Sequence, residues 1–175
     1  MSLRERNSGI TDYDFPRLYL KGEESREHAI VYRRAGSYKI LRGPPVTGDE
    51  GESYGLVPYE AGWSLAIEPL EASVTRGMLV VVPWHDWKGL LVDEGSSISI
   101  LEVRGYQPIL TTREGDHVGV GEVIAYVLTG KGETRTVRTS VGGVVLYISW
   151  RRVEEEIYNV VVVDEGSVIE LKRLS

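Results

Sequence analysis

The chain contains no cysteine. That removes disulfides, thiolate metal ligands, cysteine nucleophiles and dithiol redox chemistry together, and leaves the compartment unmarked by thiol usage. Histidine is scarce: His28, His85 and His117 are the only three, and their separations match no short ligand motif, so no metal site is expected. No stretch approaches the roughly 18 uninterrupted apolar residues of a membrane helix. The opening MSLRERNSGITDYDF carries charge with no apolar segment behind it. These features predict a soluble, cytoplasmic protein without a membrane partner. Positive charge is in deficit as well, with a formal net charge of -6, which argues against a nucleic-acid partner held by phosphate neutralisation. Arg135, Arg138, Arg151 and Arg152 are the best local basic cluster, and in a chain rich in both signs they read as solvated strand and loop positions. No serine lies in a Gly-x-Ser-x-Gly elbow and no glycine-rich stretch ends in Gly-Lys-Ser/Thr, so hydrolysis by a serine nucleophile and P-loop nucleotide binding have no motif here.

What the chain does hold is valine, tyrosine and twenty glycines in 175 residues, a balance that favours strands and tight turns. The predicted class is all-β, as one compact body or two small ones. Residues 1–16 read as a flexible polar arm docking at Phe15-Pro16. From Arg17 the pattern RLYLKGEESREHAIVYRRAGSYKIL alternates apolar and polar residues around a turn at Gly22, which fits three strands. Segment 42–58, RGPPVTGDEGESYGLVP, has no apolar periodicity and reads as a mobile loop within a β-rich part spanning 17–76. In EAGWSLAIEPLE, Trp63, Leu65 and Ile67 alternate as in a strand that Pro69 ends. The run MLVVVPW at 78–84 predicts a strand buried on both faces.

One string occurs twice. Val-Asp-Glu-Gly-Ser stands at Val92–Ser96 and again at Val163–Ser167, with the related Arg113-Glu114-Gly115-Asp116 between them. Each follows an apolar or β-prone run, and Gly95, Gly115 and Gly166 are expected to supply positive φ in similar tight turns. A common turn and a structural duplication both fit.

The stretch TTREGDHVGVGEVIAYVLTGKGETRTVRTSVGGVVLYI at 111–148 resembles the biotinyl/lipoyl domain family. Glu114-Gly115-Asp116 and Val118 match its first turn, Gly121 the glycine before the next strand, and Ser140-Val141-Gly142-Gly143-Val144 its Ala-Pro-x-x-Gly-x-Val segment. The resemblance implies a flattened β-barrel of two quasi-symmetric halves, the barrel-sandwich hybrid, over 77–175 with its core at 105–171. It also implies a hairpin that presents a lysine for biotin or lipoate. Counting back from Gly143 puts that attachment position at Gly132, with Lys131 one residue before it. Gly130 and Gly132 stand where methionines flank a biotinylated lysine, and the acidic-Lys-Ala trio of a lipoyl lysine is absent. No cofactor is therefore expected, and Lys131 is the attachment candidate if there is one. Over its whole length the chain also resembles an uncharacterised archaeal protein family with a biotinyl/lipoyl-like C-terminal half. FPRLYLKG (15–22), VPWHDWKG (82–89) and EGDHV (114–118) carry that resemblance.

Trp84-His85-Asp86-Trp87 is the most unusual local string. Two tryptophans could stack on a planar or sugar ligand, with His85 titrating beside Asp86. Neighbouring strand residues point to opposite faces, so a His85–Asp86 dyad is not expected, and the simpler reading is a turn whose tryptophans cover the core edge. Glu154-Glu155-Glu156 cannot all face one cation and reads as solvated. The function expected from the sequence is a non-catalytic binding or assembly module, with an unknown protein or a second copy as partner. A carrier modified at Lys131 and a small-molecule site or small enzyme at Trp84–Trp87 are the competing readings.

Overall fold

The computed structural model describes residues 15–44 and 50–174. Strands β1 (Arg17–Lys21), β2 (Glu27–Tyr32), β3 (Ser37–Arg42) and β4 (Glu52–Val57) lead into a 3-10 turn at Tyr59–Ala61 and a short helix, α1 (Gly62–Ala66). Two brief strands, β5 (Ile67–Glu68) and β6 (Ser73–Val74), precede β7 (Met78–Val82) and β8 (Lys88–Val92). Then come β9 (Ile98–Gly105), β10 (Gln107–Leu110), β11 (His117–Val118), β12 (Val123–Leu128) and β13 (Thr134–Arg138). The long pair β14 (Gly143–Val153) and β15 (Glu155–Val163) is followed by β16 (Ile169–Arg173).

The all-β expectation is met, and the strands divide into two bodies. Seven form a closed barrel in the order β1-β4-β2-β3-β16-β8-β7. The others form a sheet β10-β12-β13 and a sheet β11-β14-β15-β9, which share one core of Val103, Ile124, Val127, Val145, Ile148, Val160 and Val162. The closed barrel draws on both halves of the sequence. Strands β7, β8 and β16, all within 77–175, pair with each other or with β1 and β3.

Alternation along the strands explains why the apolar runs are so long. Leu79 and Val81 of β7 point into the barrel with Tyr19, Tyr38 and Tyr54. Met78, Val80 and Val82 point outwards and pack, with Leu18, Leu90 and Val92, against Val144, Leu146, Val161 and Val163 of the β14–β15 pair. Both faces of β7 are thus buried, as its continuous apolar sequence predicts. Each such side chain contributes about 1.5–3 kcal/mol of burial. The same logic makes β15 apolar on both sides: Val160 and Val162 fill the sheet pair, while Val161 and Val163 meet the barrel wall.

The two Val-Asp-Glu-Gly-Ser strings are the two crossings between the bodies. Val92–Ser96 carries β8 out of the barrel into β9, and Val163–Ser167 carries β15 back into β16. They lie side by side because β9 pairs with β15 through Ile98 and Val163, and β8 with β16 through Leu91 and Ile169.

Several expectations are corrected. Segment 42–58 is not one loop: Glu52–Val57 is a barrel strand between β1 and β2, and 45–49 lies outside the described residues. Its Gly55 reads as a loop residue but serves close packing, since a Cβ there would lie 2.2 Å from the Glu23 carbonyl oxygen. Glu60–Glu71 is mostly a turn and a helix, not a strand. Gly62 and Ala66, one helical turn apart, are the buried pair, and a Cβ on Gly62 would sit 2.5 Å from a Leu18 methyl. Gly95 and Gly115 have φ of 86° and 91°, whereas Gly166 sits in a 3-10 turn with its N–H donating to Asp164 Oδ2 at 3.1 Å. The repeated string therefore folds differently at its two sites. Of the arm expected at 1–16, residues 1–14 lie outside the described residues.

Candidate functional site

The hairpin of β12 and β13 is closed by Leu128 opposite Thr134, leaving loop 129–133 with Lys131 in its middle. Thr129 N–H donates to the Glu133 carbonyl at 2.8 Å, and Thr129 Oγ1 accepts from Glu133 N–H at 3.1 Å. Gly132 takes φ of 80°, a conformation that disfavours a side chain. The turn itself thus accounts for a glycine at 132. Lys131 is exposed beside it, and open space surrounds Gly130 and Gly132.

The string at Trp84–Trp87 connects β7 to β8 as a turn. Pro83–His85 is a 3-10 turn, and Asp86 and Trp87 both take left-handed backbone, with φ of 52° and 57°. Its side chains diverge. Trp84 Nε1 donates to the Glu114 carbonyl at 3.1 Å, under the Arg113 guanidinium at 3.7 Å from the ring centroid. Trp87 lies between Arg173 at 4.6 Å and Arg17 at 5.7 Å, and its carbonyl accepts from the Tyr38 hydroxyl. His85 turns to Asp116, with Nε2 3.5 Å from Oδ1, not to Asp86. His85 and Asp86 border a shallow basic cleft with Lys88, Lys172 and Arg173, and neither tryptophan lines it. The four residues are not gathered into one concave site.

His117 joins the two bodies. Its Nδ1 lies 3.1 Å from Glu165 Oε1 and its Nε2 3.2 Å from Glu170 Oε1, while Lys88 Nζ meets the other Glu170 oxygen at 3.2 Å. Two carboxylates facing two ring nitrogens favour the doubly protonated imidazolium. The hydrogen bond to Glu165, and then that to Glu170, raises the His117 pKa above its ordinary value. Burial alone would raise Glu170, but the hydrogen bonds from Lys88 and His117 outweigh it and bring it down. The third histidine, His28, is buried with Nδ1 3.1 Å from the Gly43 carbonyl. Among the described residues no group of three or more His, Asp or Glu side chains is placed to hold a metal ion.

A cleft that the sequence reading did not single out lies between the Tyr59–Trp63 turn and the barrel-facing side of β14–β15. Its volume is about 410 Å³, and Phe15, Trp63, Ser149, Arg151 and Asn159 are among its walls. The Tyr59 ring stacks on Tyr147 at 4.5 Å. Its hydroxyl donates to the buried Glu114 carboxylate and accepts from Ile148 N–H at 2.9 Å. Glu114 comes from the Glu-Gly-Asp turn, so that turn props the aromatic wall of the cleft. A legible signal existed for it: Asn159 interrupts the otherwise apolar run Ile157–Val163.

Residues 13–165 match the family described as an uncharacterized protein conserved in archaea, DUF2118. The chain belongs to this family. The match takes in strands of both bodies, from β1 to β15, together with the turn at Trp84–Trp87, the Lys131 hairpin and the aromatic cleft. No curated protein matches the chain.

Proposed function

We propose that this family member is a non-catalytic binding or assembly module in which a biotinyl/lipoyl-like barrel-sandwich hybrid, narrowed from the expected 77–175 to residues 98–163 because β7, β8 and β16 join the closed barrel, serves as a rigid scaffold without a prosthetic group. The single observation that carries this reading is the shared core between the bodies. Leu18, Val80, Val82 and Leu90 of the barrel pack against Val144, Leu146, Val161 and Val163 of the sheet. A carrier has to deliver its group between sites, which calls for a body free to move. A sheet joined to a neighbour by a continuous apolar layer suits a fixed platform instead. The glycines around Lys131 and the lack of a carrier trio agree with this. On this reading the protein acts in the cytoplasm through a surface or cleft that takes a partner or ligand.

A second reading, a biotin- or lipoate-type carrier, is favoured by one observation: Lys131 is exposed at the centre of its hairpin loop. Intact mass of the protein purified from its native host decides between the two. We expect the unmodified mass. An added biotin or lipoate mass on the peptide bearing Lys131, lost in Lys131→Arg, would overturn the scaffold reading.

A further inference from the structure

We infer that the cleft between the Tyr59–Trp63 turn and β14–β15 binds a planar nitrogen heterocycle whose ring edge offers a hydrogen-bond donor beside an acceptor. The inference deepens the binding-module reading and rests on it. Mass at Lys131 tests that reading, while binding at the cleft is measured separately, so the two can fail independently.

The argument begins at Asn159. It occupies a β15 position whose face continues to Val161 and Val163, and it is only 6 % exposed. Valine there would suit the strand and the core, so the amide is a costly choice. Its one hydrogen bond among the described residues runs from Nδ2 to Ser149 Oγ at 3.3 Å. Asn159 is one of the residues lining the cleft, and its second N–H and its carbonyl oxygen make no hydrogen bond to the described residues. A ligand that completes the hydrogen bonding of this amide gains about 0.5–1.5 kcal/mol per bond. An asparagine amide presents donor and acceptor side by side, the arrangement that pairs bidentately with a heterocycle edge such as that of adenine.

The rest of the cleft fits a flat ring. Phe15, Tyr59 and Trp63 supply apolar faces, and base-on-aromatic stacking contributes about 1–3 kcal/mol per ring. The volume of about 410 Å³ lies toward the small end of the roughly 300–1,000 Å³ range of ligand sites, enough for a one- or two-ring heterocycle. A sugar carries hydroxyls around its whole edge and needs polar partners on all sides, whereas here the Tyr59 and Tyr147 hydroxyls already donate within the protein, and apart from the charged pair Glu60 and Arg151 the polar lining is Asn159 and Ser149. At the rim Glu60 and Arg151 are both exposed and opposite in charge. They set no net preference for an anion, so a neutral base or nucleoside fits better than a phosphorylated one.

The test is titration of the full chain with adenosine, guanosine, cytidine and uridine, read by NMR at the tryptophan indole N–H and asparagine side-chain signals. We expect saturable binding of at least one of them with Kd below about 1 mM, with shifts at Trp63 and Asn159. Asn159→Val should weaken it about tenfold or more while keeping or raising the melting temperature. Asn159→Asp, which keeps the shape but loses the donor, should weaken it as well, and Lys131→Arg should bind as the unaltered protein does. Absence of saturable shifts with all four nucleosides overturns the proposal. So does undiminished binding by Asn159→Val, or shifts centred on Trp84 and Trp87.

Discussion

The interior of the barrel and the interior of the sheet pair solve the same packing problem with different side chains. Each of the seven barrel strands sends at least one residue inward, and three of these are tyrosines: Tyr19, Tyr38 and Tyr54, beside Ala29, Val31, Leu79, Val81, Leu91 and Leu171. The sheet pair is filled by branched aliphatics such as Val103, Ile124, Val145 and Val160, with Tyr158 its one aromatic residue. A closed barrel encloses a round space that rings can fill, and two of the three hydroxyls reach polar groups. Tyr19 donates to Glu27 Oε2 at 2.7 Å, and Tyr38 donates to the Trp87 carbonyl. Two flat sheets leave a thinner slot that β-branched side chains fill without polar ends. The difference ties the barrel interior to protonation. Burial pushes the Tyr38 and Tyr54 hydroxyls up to about 12. For Tyr19, burial and then the Glu27 hydrogen bond raise it further.

The largest expected effect tests whether these two interiors belong to one cooperative unit. Leu146 is fully buried where the β14 sheet meets the barrel wall. Leu146→Ala should cost about 2–5 kcal/mol, and hydrogen exchange should show barrel and sheet amides losing protection together. Separate loss of the two sets would mean that the bodies are energetically independent.

Alkali should act on the barrel. The folded pKa of Tyr38 lies above its ordinary 10.0, near 12. Its contribution is therefore complete below pH 10 and is lost as pH rises through that interval, on the order of 2 kcal/mol for such a ring. Urea titrations at stepped pH, followed by tyrosinate absorbance, should show this decline, and Tyr38→Phe should reduce it. An unchanged decline in Tyr38→Phe would locate its source elsewhere.

The smallest effect lies at the joint. His117, raised above 6.5, contributes stability that is present below that value and disappears as pH rises through its folded pKa. Its side chain is 54 % exposed, so solvent screening limits the effect to at most about 0.5 kcal/mol. An imidazole titration by NMR should give a midpoint above 6.5 that falls in Glu165→Gln. A midpoint at or below 6.5 in the unaltered protein would show that the clamp is not formed.

Much of the strand content was readable because alternation and apolar runs report burial directly. Leu18 and Leu20, Ala29 and Val31, and the run at Met78–Val82 all lie in strands. Readings failed where contact at a distance overrode local pattern. Trp63, Leu65 and Ile67 alternate, yet Leu65 is 39 % exposed, because seating Gly62 against Leu18 and Tyr147 turns the segment into a helix. Gly55 looks like a loop glycine, but it lets β4 pass close to the Glu23 backbone. Trp84 and Trp87 are three residues apart in sequence and part in space because Asp86 and Trp87 take left-handed backbone. The aromatic cleft joins residues 15, 59–63 and 147–159, and no window along the chain contains all of them. Asn159 was its one local trace.

The barrel closes through β16, which lies parallel to β3 at Lys172 and Ser37 and antiparallel to β8 at Leu171 and Gly89. In the order in which a ribosome releases the chain, β1 to β4, β7 and β8 emerge first, with the rims of β3 and β8 still unpaired, and the strand that seals them follows the whole sheet pair. The sheet pair, contiguous in sequence, can be complete while the barrel is still open. Residues 169–173 thus act as a latch on the timing of assembly. Until they arrive, two strand edges of the barrel are open to a neighbouring chain.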